Sequence, residues 1–138
     1  MRLGVRMGEG CKRIRLGGCI AYAPAVDVEA FLHELSADPA ANLVFPGFTA
    51  FVKETSPINT TASIKMPVLL FQAKDDSKAP YATANRFVEK LRQTNPRGTF
   101  ITEETGDHYE PMIEKGIPAA IKWIQSTPAA AEPPELQR

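Results

Sequence analysis

Residues 67–80 read PVLLFQAKDDSKAP and contain the clearest structural signal in the chain. The apolar run Val68–Phe71 is continuous, which indicates a strand buried on both faces, as in a parallel sheet. Residues 74–77 follow as the loop at the carboxyl end of that strand. Pro80 suits the first turn of a helix, because a proline there gives up no helical hydrogen bond. A strand–loop–helix unit is therefore predicted at residues 67–80.

The residues after Pro80 predict one more strand and two helices. Four apolar residues recur at helical spacing and predict one apolar face: Ala84, Phe87, Val88 and Leu91. The turn at residues 95–98 ends this helix, and residues 99–102, TFIT, favour a short strand. A loop at residues 106–111 precedes the last helix. One side of that helix carries Ile113, Ile117, Ile121 and Ile124, next to Trp123.

The residues before Pro67 predict a third strand and several helices. Cys19–Ala23 is a run of small apolar residues that ends at Pro24, and it predicts a buried strand. Asp27 is placed to cap a helix whose apolar face is formed by Val28, Phe31, Leu32 and Leu35. The apolar stretch 40–52 is interrupted by Pro46-Gly47, which predicts a broken pair of helices. Residues 55–63 are polar and predict a loop.

The order of these elements predicts an α/β fold with about three parallel strands and flanking helices. Strands that alternate with helices favour parallel pairing through right-handed crossovers. Residues 17–126 form this region. Residues 1–16 carry five basic residues and one acidic residue without a convincing period, and we predict a flexible arm. Residues 127–138, TPAAAEPPELQR, predict a disordered tail. A three-stranded sheet with so few helices is thin for a whole domain.

The overall composition argues against several classes of partner. Among 138 residues, 16 basic residues balance 16 acidic ones, so no nucleic acid and no anionic membrane is expected as a partner. The longest apolar run, Val68–Phe71, is far too short to cross a membrane. We see no signal peptide, and a cytoplasmic location is expected. Cys11 and Cys19 do not have zinc-site spacing, and both are expected to stay reduced. We predict neither a cofactor nor a metal.

Two predicted loops carry side chains that can donate or accept protons. One contains Asp75 and Asp76, and the other contains Asp107 and His108. The tips of neighbouring parallel strands lie roughly 5 Å apart, so a carboxylate of one loop can meet the imidazole of the other. Such a carboxylate fixes the tautomer of the histidine and leaves the other ring nitrogen free to act as a base. Spacing alone also fits ordinary turn residues and a solvated histidine. His33, on a predicted helix, is expected at the surface.

A family resemblance sharpens this interpretation. Residues 56–80, SPINTTASIKMPVLLFQAKDDSKAP, resemble the C-terminal region of α/β-hydrolases of the prolyl oligopeptidase and dienelactone hydrolase kind. In that family a D-x-x-V-P loop carries the triad acid, and residues 76–80, DSKAP, match it with Ala79 at the usual valine. Residues 106–109, GDHY, resemble the turn that carries the catalytic histidine. The resemblance spans about residues 17–125 and implies that Asp76 is the acid and His108 the catalytic histidine.

The same resemblance exposes a missing part. The family order is serine, acid, histidine, with the serine in a G-x-S-x-G turn ahead of the strand that corresponds to Cys19–Ala23. Residues 4–8, GVRMG, have the glycine spacing but place Arg6 at the centre, and no serine lies in such a setting. The oxyanion-hole donors are also missing. Loss of a triad serine costs roughly 10⁶-fold in turnover. We therefore expect a chain that is inactive alone, or active on a small ester or peptide only when another chain supplies the nucleophile.

Two other interpretations remain open at this point. The first is a non-enzymatic α/β module that binds a partner, or a second copy of itself, through an open sheet edge. Uncovered strand edges favour association, so we expect a homo-oligomer. The DNA upstream of Met1 distinguishes this module from the hydrolase interpretation, because a reading frame that continues into G-x-S-x-G indicates a truncated enzyme. The second is a metal site formed by Asp75, Asp76, Asp107 and His108, although the spacing matches no metal motif.

Overall fold

The computed structural model describes residues 16–127 and shows three parallel strands with flanking helices. The strands are β1 (Cys19–Tyr22), β2 (Val68–Ala73) and β3 (Gly98–Glu103). Between β1 and β2 lie α1 (Val28–Phe31), α2 (His33–Ala37), α3 (Pro39–Val44) and α4 (Phe48–Thr55), followed by two 3-10 turns (Pro57–Asn59 and Thr61–Ser63). α5 (Tyr81–Arg92) connects β2 to β3. A π-helical turn (Met112–Gly116) leads into α6 (Ile117–Ser126).

The sheet has the order β1-β2-β3, and every pairing is parallel. Val68 lies opposite Cys19 on one side and opposite Gly98 on the other. All six residues of β2 are buried, as the continuous apolar run predicts for a central parallel strand. The predicted α/β class, the three strands and their parallel pairing are confirmed. Because the strands are parallel, the loops after β2 and β3 leave the sheet at the same edge.

One face of the sheet holds the main core. Val68 and Leu70 of β2 pack against α5, whose Phe87, Val88 and Leu91 are buried. The predicted apolar face of α5 is thus confirmed residue for residue. Asn95, buried at the end of this helix, donates hydrogen bonds to the carbonyl oxygens of Ile64 and Met66, and so fixes the segment that enters β2.

The other face of the sheet receives the π-helical turn and α6. A Cβ atom added to Gly116 would lie 2.9 Å from the Phe71 ring and 3.0 Å from the Tyr22 ring, so the absence of a side chain lets the helix approach the sheet. Trp123 reaches Gly18, just ahead of β1. The last helix therefore covers β1 and β2 with its small and aromatic residues.

Three details differ from the sequence predictions. β1 is not a buried strand: Cys19 is exposed and the other three residues are half-buried, because β1 forms the edge of the sheet within residues 16–127. The helix capped by Asp27 is broken at Leu32 into α1 and α2, and neither contains a buried residue. The predicted loop at residues 55–63 contains the two 3-10 turns.

The isoleucine side of the last helix is also exposed. All four isoleucines on this side are exposed to solvent: Ile113, Ile117, Ile121 and Ile124. The predicted break at Pro46-Gly47 is present between α3 and α4, and Gly47 adopts a positive φ of 84° that favours glycine. The predicted arm lies outside the described residues except for Leu16, as does the predicted tail beyond Thr127. Within residues 16–127, every helix is too short or too polar to cross a membrane.

Candidate active site

The loop after β2 turns the Asp76 carboxylate into the protein. Its Oδ1 atom accepts hydrogen bonds from the backbone N–H groups of Lys78 and Ala79, both at 2.8 Å. Gln72, a buried residue of β2, donates a side-chain hydrogen bond to the Ala79 carbonyl oxygen and so ties the loop to the strand below it. Asp76 is thereby fixed by backbone donors at the start of α5.

The loop after β3 presents His108 through two unusual backbone conformations. Gly106 has a φ of 121° and Asp107 a φ of 57°. A Cβ atom at Gly106 would lie 2.4 Å from the Pro111 ring, so only glycine fits at this position. Aspartate is one of the few side chains that tolerate the left-handed region. These two residues reverse the chain sharply and direct the next side chain towards the β2 loop.

The two loops bring Asp76 and His108 into direct contact. His108 Nδ1 lies 2.9 Å from Asp76 Oδ2 and 3.1 Å from Oδ1. The Asp76 carboxylate is 0% exposed and the His108 side chain is 20% exposed. An ionised carboxylate can only accept a hydrogen bond, so His108 Nδ1–H is the donor. The predicted contact between these side chains is confirmed, whereas their catalytic roles stay a prediction.

This arrangement favours one tautomer of the neutral histidine. With its proton on Nδ1, the ring has an unprotonated Nε2 that can accept a proton from another group. The His108 and Tyr109 rings are nearly perpendicular, with an angle of 84° between their planes and centroids 4.7 Å apart. An oriented base backed by a buried carboxylate is what general acid–base chemistry requires.

A cavity of about 510 Å³ lies next to His108. Its wall is mainly apolar and includes Pro24, Val26, Phe31 and Pro80. The segment after β1 forms one side and the start of α5 forms the other, so the cavity opens at the carboxyl edge of the sheet. A small ligand held there lies beside the imidazole.

The neighbouring carboxylates make different contacts. Asp75 accepts hydrogen bonds from the N–H groups of Gly106 at 3.1 Å and Asp107 at 3.0 Å. Asp107 accepts one from the Ser77 N–H at 2.8 Å, and this bond holds the pKa of the Asp107 carboxyl below its usual value. Each carboxylate thus faces its own donors. Across residues 16–127, no three His, Cys, Asp or Glu side chains are grouped to hold a metal ion, so the metal-site interpretation gains no support.

The serines lie at several places in the chain, and Ser77 directly follows Asp76 in the loop after β2. All five serines lie within the described residues, and none of them lines the cavity beside His108: Ser36, Ser56, Ser63, Ser77 and Ser126. Ser56 is buried elsewhere, where its Oγ accepts a hydrogen bond from the Glu29 N–H. His33 is exposed on α2, as predicted. The sequence interpretation gave Asp75 and Asp107 no part in the hydrolase site, because their contacts join residues about thirty positions apart.

Comparison with solved structures gives the class of fold. No family model matches the sequence, and no curated protein is significantly similar to it. Acylaminoacyl peptidase of Pyrococcus horikoshii matches 84% of this chain with a TM-score of 0.62 and 13% identity. Esterase Pf2001 of Pyrococcus furiosus matches 80% with a TM-score of 0.54 and 19% identity. A puromycin-hydrolysing peptidase of Mycobacterium tuberculosis matches 66% with a TM-score of 0.51 and 25% identity.

The chain therefore has part of an α/β-hydrolase fold. It spans 21%, 44% and 15% of the lengths of these three proteins, respectively. All three are hydrolases by description, two of them peptidases and one an esterase. At these identities the likeness establishes the fold, and the activity has to be argued from the site.

Proposed function

We propose that this chain contributes the acid and the histidine of a serine-hydrolase site that acts on ester or peptide bonds. The contact of 2.9 Å between His108 Nδ1 and the buried Asp76 carboxylate carries this proposal. Asp76 is the orienting acid, and His108 is the general base and acid. The match of residues 76–80 to the D-x-x-V-P loop supports the prolyl oligopeptidase or dienelactone hydrolase kind.

The chemistry follows from the position of the free ring nitrogen. His108 Nε2 takes the hydroxyl proton of a serine while the serine oxygen bonds to the substrate carbonyl carbon. The resulting imidazolium is stabilised by the Asp76 carboxylate. Nε2–H then returns the same proton to the leaving alcohol or amine as its bond to the carbonyl carbon breaks. Water then gives a proton to Nε2 as its oxygen bonds to the acyl carbon, and the proton passes to the serine oxygen as its bond to that carbon breaks, which releases the acid product and restores the serine.

The nucleophile in this proposal comes from a polypeptide segment other than this chain. None of the five serines lines the cavity beside His108, and the sequence has no G-x-S-x-G turn. The backbone N–H donors that would stabilise an oxyanion come from the residue after the nucleophile and from an earlier loop, and in this proposal neither is supplied by this chain. We therefore expect the chain alone to be inactive, with no labelling by a fluorophosphonate and no saturable hydrolysis of p-nitrophenyl acetate.

The cavity beside His108 supports a small substrate with an apolar group. Its apolar wall, formed in part by Val26 and Phe31, favours a hydrocarbon side chain or acyl chain. A cytoplasmic setting is part of the same proposal.

A chimera tests the proposed roles. The segment from β2 to α6 replaces its structural equivalent in the Pyrococcus furiosus esterase, which retains the rest of its own chain. The expected result is hydrolysis of p-nitrophenyl acetate that falls by roughly 10⁴-fold or more in the chimera carrying His108→Ala. Glu104→Gln, which removes a charge from the same edge of the sheet, is the matched control and leaves the rate unchanged. A folded chimera no faster than its His108→Ala variant contradicts the proposed function.

A second candidate function is favoured by the exposed surfaces. β1 lies at the sheet edge within residues 16–127, and the isoleucine side of the last helix is exposed. Unpaired strand edges and apolar patches are features of association surfaces. The chain as a non-enzymatic module that pairs with a second copy accounts for these surfaces, but it leaves the contact between Asp76 and His108 without a role.

A further inference from the structure

The loops that carry Asp76 and His108 are also joined by hydrogen bonds between the residues that flank Asp76 and the residues that precede His108. Both oxygens of the Asp75 carboxylate are used, one for the Gly106 N–H at 3.1 Å and the other for the Asp107 N–H at 3.0 Å. The Asp107 carboxylate reaches back in the opposite direction to the Ser77 N–H at 2.8 Å. We call these three hydrogen bonds the loop clamp.

We propose that Asp75 and Asp107 are positioning residues, which hold His108 at the Asp76 carboxylate through the loop clamp. This role rests on the proposed hydrolase function, because an oriented imidazole matters only if it transfers a proton. Within residues 16–127, the His108 ring is hydrogen-bonded to Asp76 and to neither of these two carboxylates. Asp75 acts through the backbone of the two residues that precede His108, and Asp107 acts through the backbone of Ser77, which follows Asp76.

The backbone of the histidine loop explains why a clamp is needed. Gly106 and Asp107 both have positive φ values, 121° and 57°; glycine adopts such a value readily, whereas a non-glycine residue such as Asp107 persists there only when surrounding contacts hold it. The two N–H groups that Asp75 accepts belong to these same residues. A single carboxylate of one loop therefore fixes the two positive-φ residues that precede His108.

The direction of the bonds requires a carboxylate at position 75 but only a single acceptor oxygen at position 107. An asparagine at position 75 has one acceptor oxygen, and its NH₂ group would face a second N–H donor. An asparagine at position 107 keeps the single acceptor that the Ser77 N–H requires, and it tolerates the left-handed backbone. Asp75→Asn and Asp107→Asn thus make the same chemical change, but the first should break the loop clamp and the second should preserve it.

Amide hydrogen exchange tests whether the clamp exists. In the full chain, the N–H groups of Ser77, Gly106 and Asp107 should exchange with solvent roughly tenfold more slowly than that of Thr105, an exposed neighbour with no hydrogen bond assigned to its N–H among the described residues. Exchange of all three at the rate of Thr105 shows that the clamp is not formed in solution and overturns the inference without any variant.

The resonance of the His108 Nδ1 proton tests the positioning role. Asp75→Asn and Asp107→Gly should raise its rate of solvent exchange by roughly tenfold, while Asp107→Asn and the control Glu104→Gln leave it unchanged. Glycine at position 107 removes the hydrogen bond without adding backbone strain. Unchanged exchange in Asp75→Asn and Asp107→Gly overturns the positioning role. Absence of a hydrogen-bonded Nδ1 proton in the unmodified chain, with the three amides still protected, contradicts the hydrolase proposal instead and leaves the clamp as a structural tie.

Discussion

The adjacent residues Asp75 and Asp76 have different environments in this chain. Asp76 turns inwards, where backbone N–H groups and His108 contact its carboxylate. Asp75 turns towards the loop after β3 and accepts hydrogen bonds from its backbone. Strand alternation does not extend into a loop, so spacing alone leaves open which acid meets the histidine. The match of residues 76–80 to D-x-x-V-P is what singled out Asp76.

The contact between Asp76 and His108 could thus be predicted from the sequence, but the residues that support it could not. A carboxyl end of a strand and a glycine turn are local features that a sequence displays. The hydrogen bonds from Gly106 to Asp75 and from Ser77 to Asp107 join positions about thirty residues apart. They depend on the relative heights of two loops above the sheet, which no local pattern specifies.

Gly106 gives a prediction at the scale of a single residue. Gly106→Ala introduces a Cβ at a φ of 121° and 2.4 Å from the Pro111 ring. Backbone strain and overpacking each cost about 1–3 kcal/mol, so the free energy of unfolding should fall by at least about 2 kcal/mol. Urea denaturation measures the change. The control is Gly17→Ala, where no atom lies within 4 Å of the added Cβ. A Gly106→Ala chain as stable as the control contradicts the described turn.

At the scale of elements, the sequence predicted β2 and α5 well. β2 is buried on both faces and α5 on one, so a continuous run and a helical stripe match their surroundings directly. α1, α2 and α6 also have apolar sides, but those sides remain exposed: Phe31, Leu35, Ile117 and Ile121 are examples. A periodic pattern identifies which side of a helix is apolar. It does not show what, if anything, covers that side.

Two truncations distinguish the covered helix from the uncovered one. Leu91 of α5 is 0% exposed and Ile121 of α6 is 52% exposed. Leu91→Ala should lower the free energy of unfolding by about 2–5 kcal/mol, since it leaves a cavity in the core. Ile121→Ala should change it by less than about 1 kcal/mol. Thermal or urea unfolding at low protein concentration makes the comparison, and equal losses in the two variants show that α6 is covered.

At the scale of the whole molecule, the described residues form part of an α/β-hydrolase fold. The sheet has three strands, with β1 at one edge of the described part and β3 at the other. The exposed isoleucines lie on the helix that packs over β1 and β2. The solved structures that share this fold are about two to four times as long as this chain, since 80% of the chain covers 44% of one and 66% of it covers 15% of another. An open edge beside an apolar helix face favours pairing with another polypeptide.

We therefore predict that the chain self-associates. Burial of the isoleucine side of α6 and pairing of the β1 edge should produce a dimer or a larger species at micromolar concentration. Sedimentation equilibrium measures the mass of the species. Ile117→Lys combined with Ile121→Lys should shift the equilibrium towards monomer, because each charge would be desolvated at the interface. A well-folded chain that is strictly monomeric over the whole concentration range contradicts this prediction.

The tautomer of His108 tests the central claim most directly. In the full chain with ¹⁵N-labelled histidine and His33→Gln, which leaves one imidazole, the ring nitrogens are observed above the pH at which the ring loses its charge. Nδ1 is predicted to carry the proton, hydrogen-bonded to Asp76, while Nε2 is unprotonated. Asp76→Asn should weaken this preference, since an amide can donate to Nδ1 and hold the opposite tautomer. Two results would contradict an acid–histidine pair oriented for catalysis. One is a proton found mainly on Nε2 in the His33→Gln chain that keeps Asp76, and the other is a tautomer that Asp76→Asn does not change.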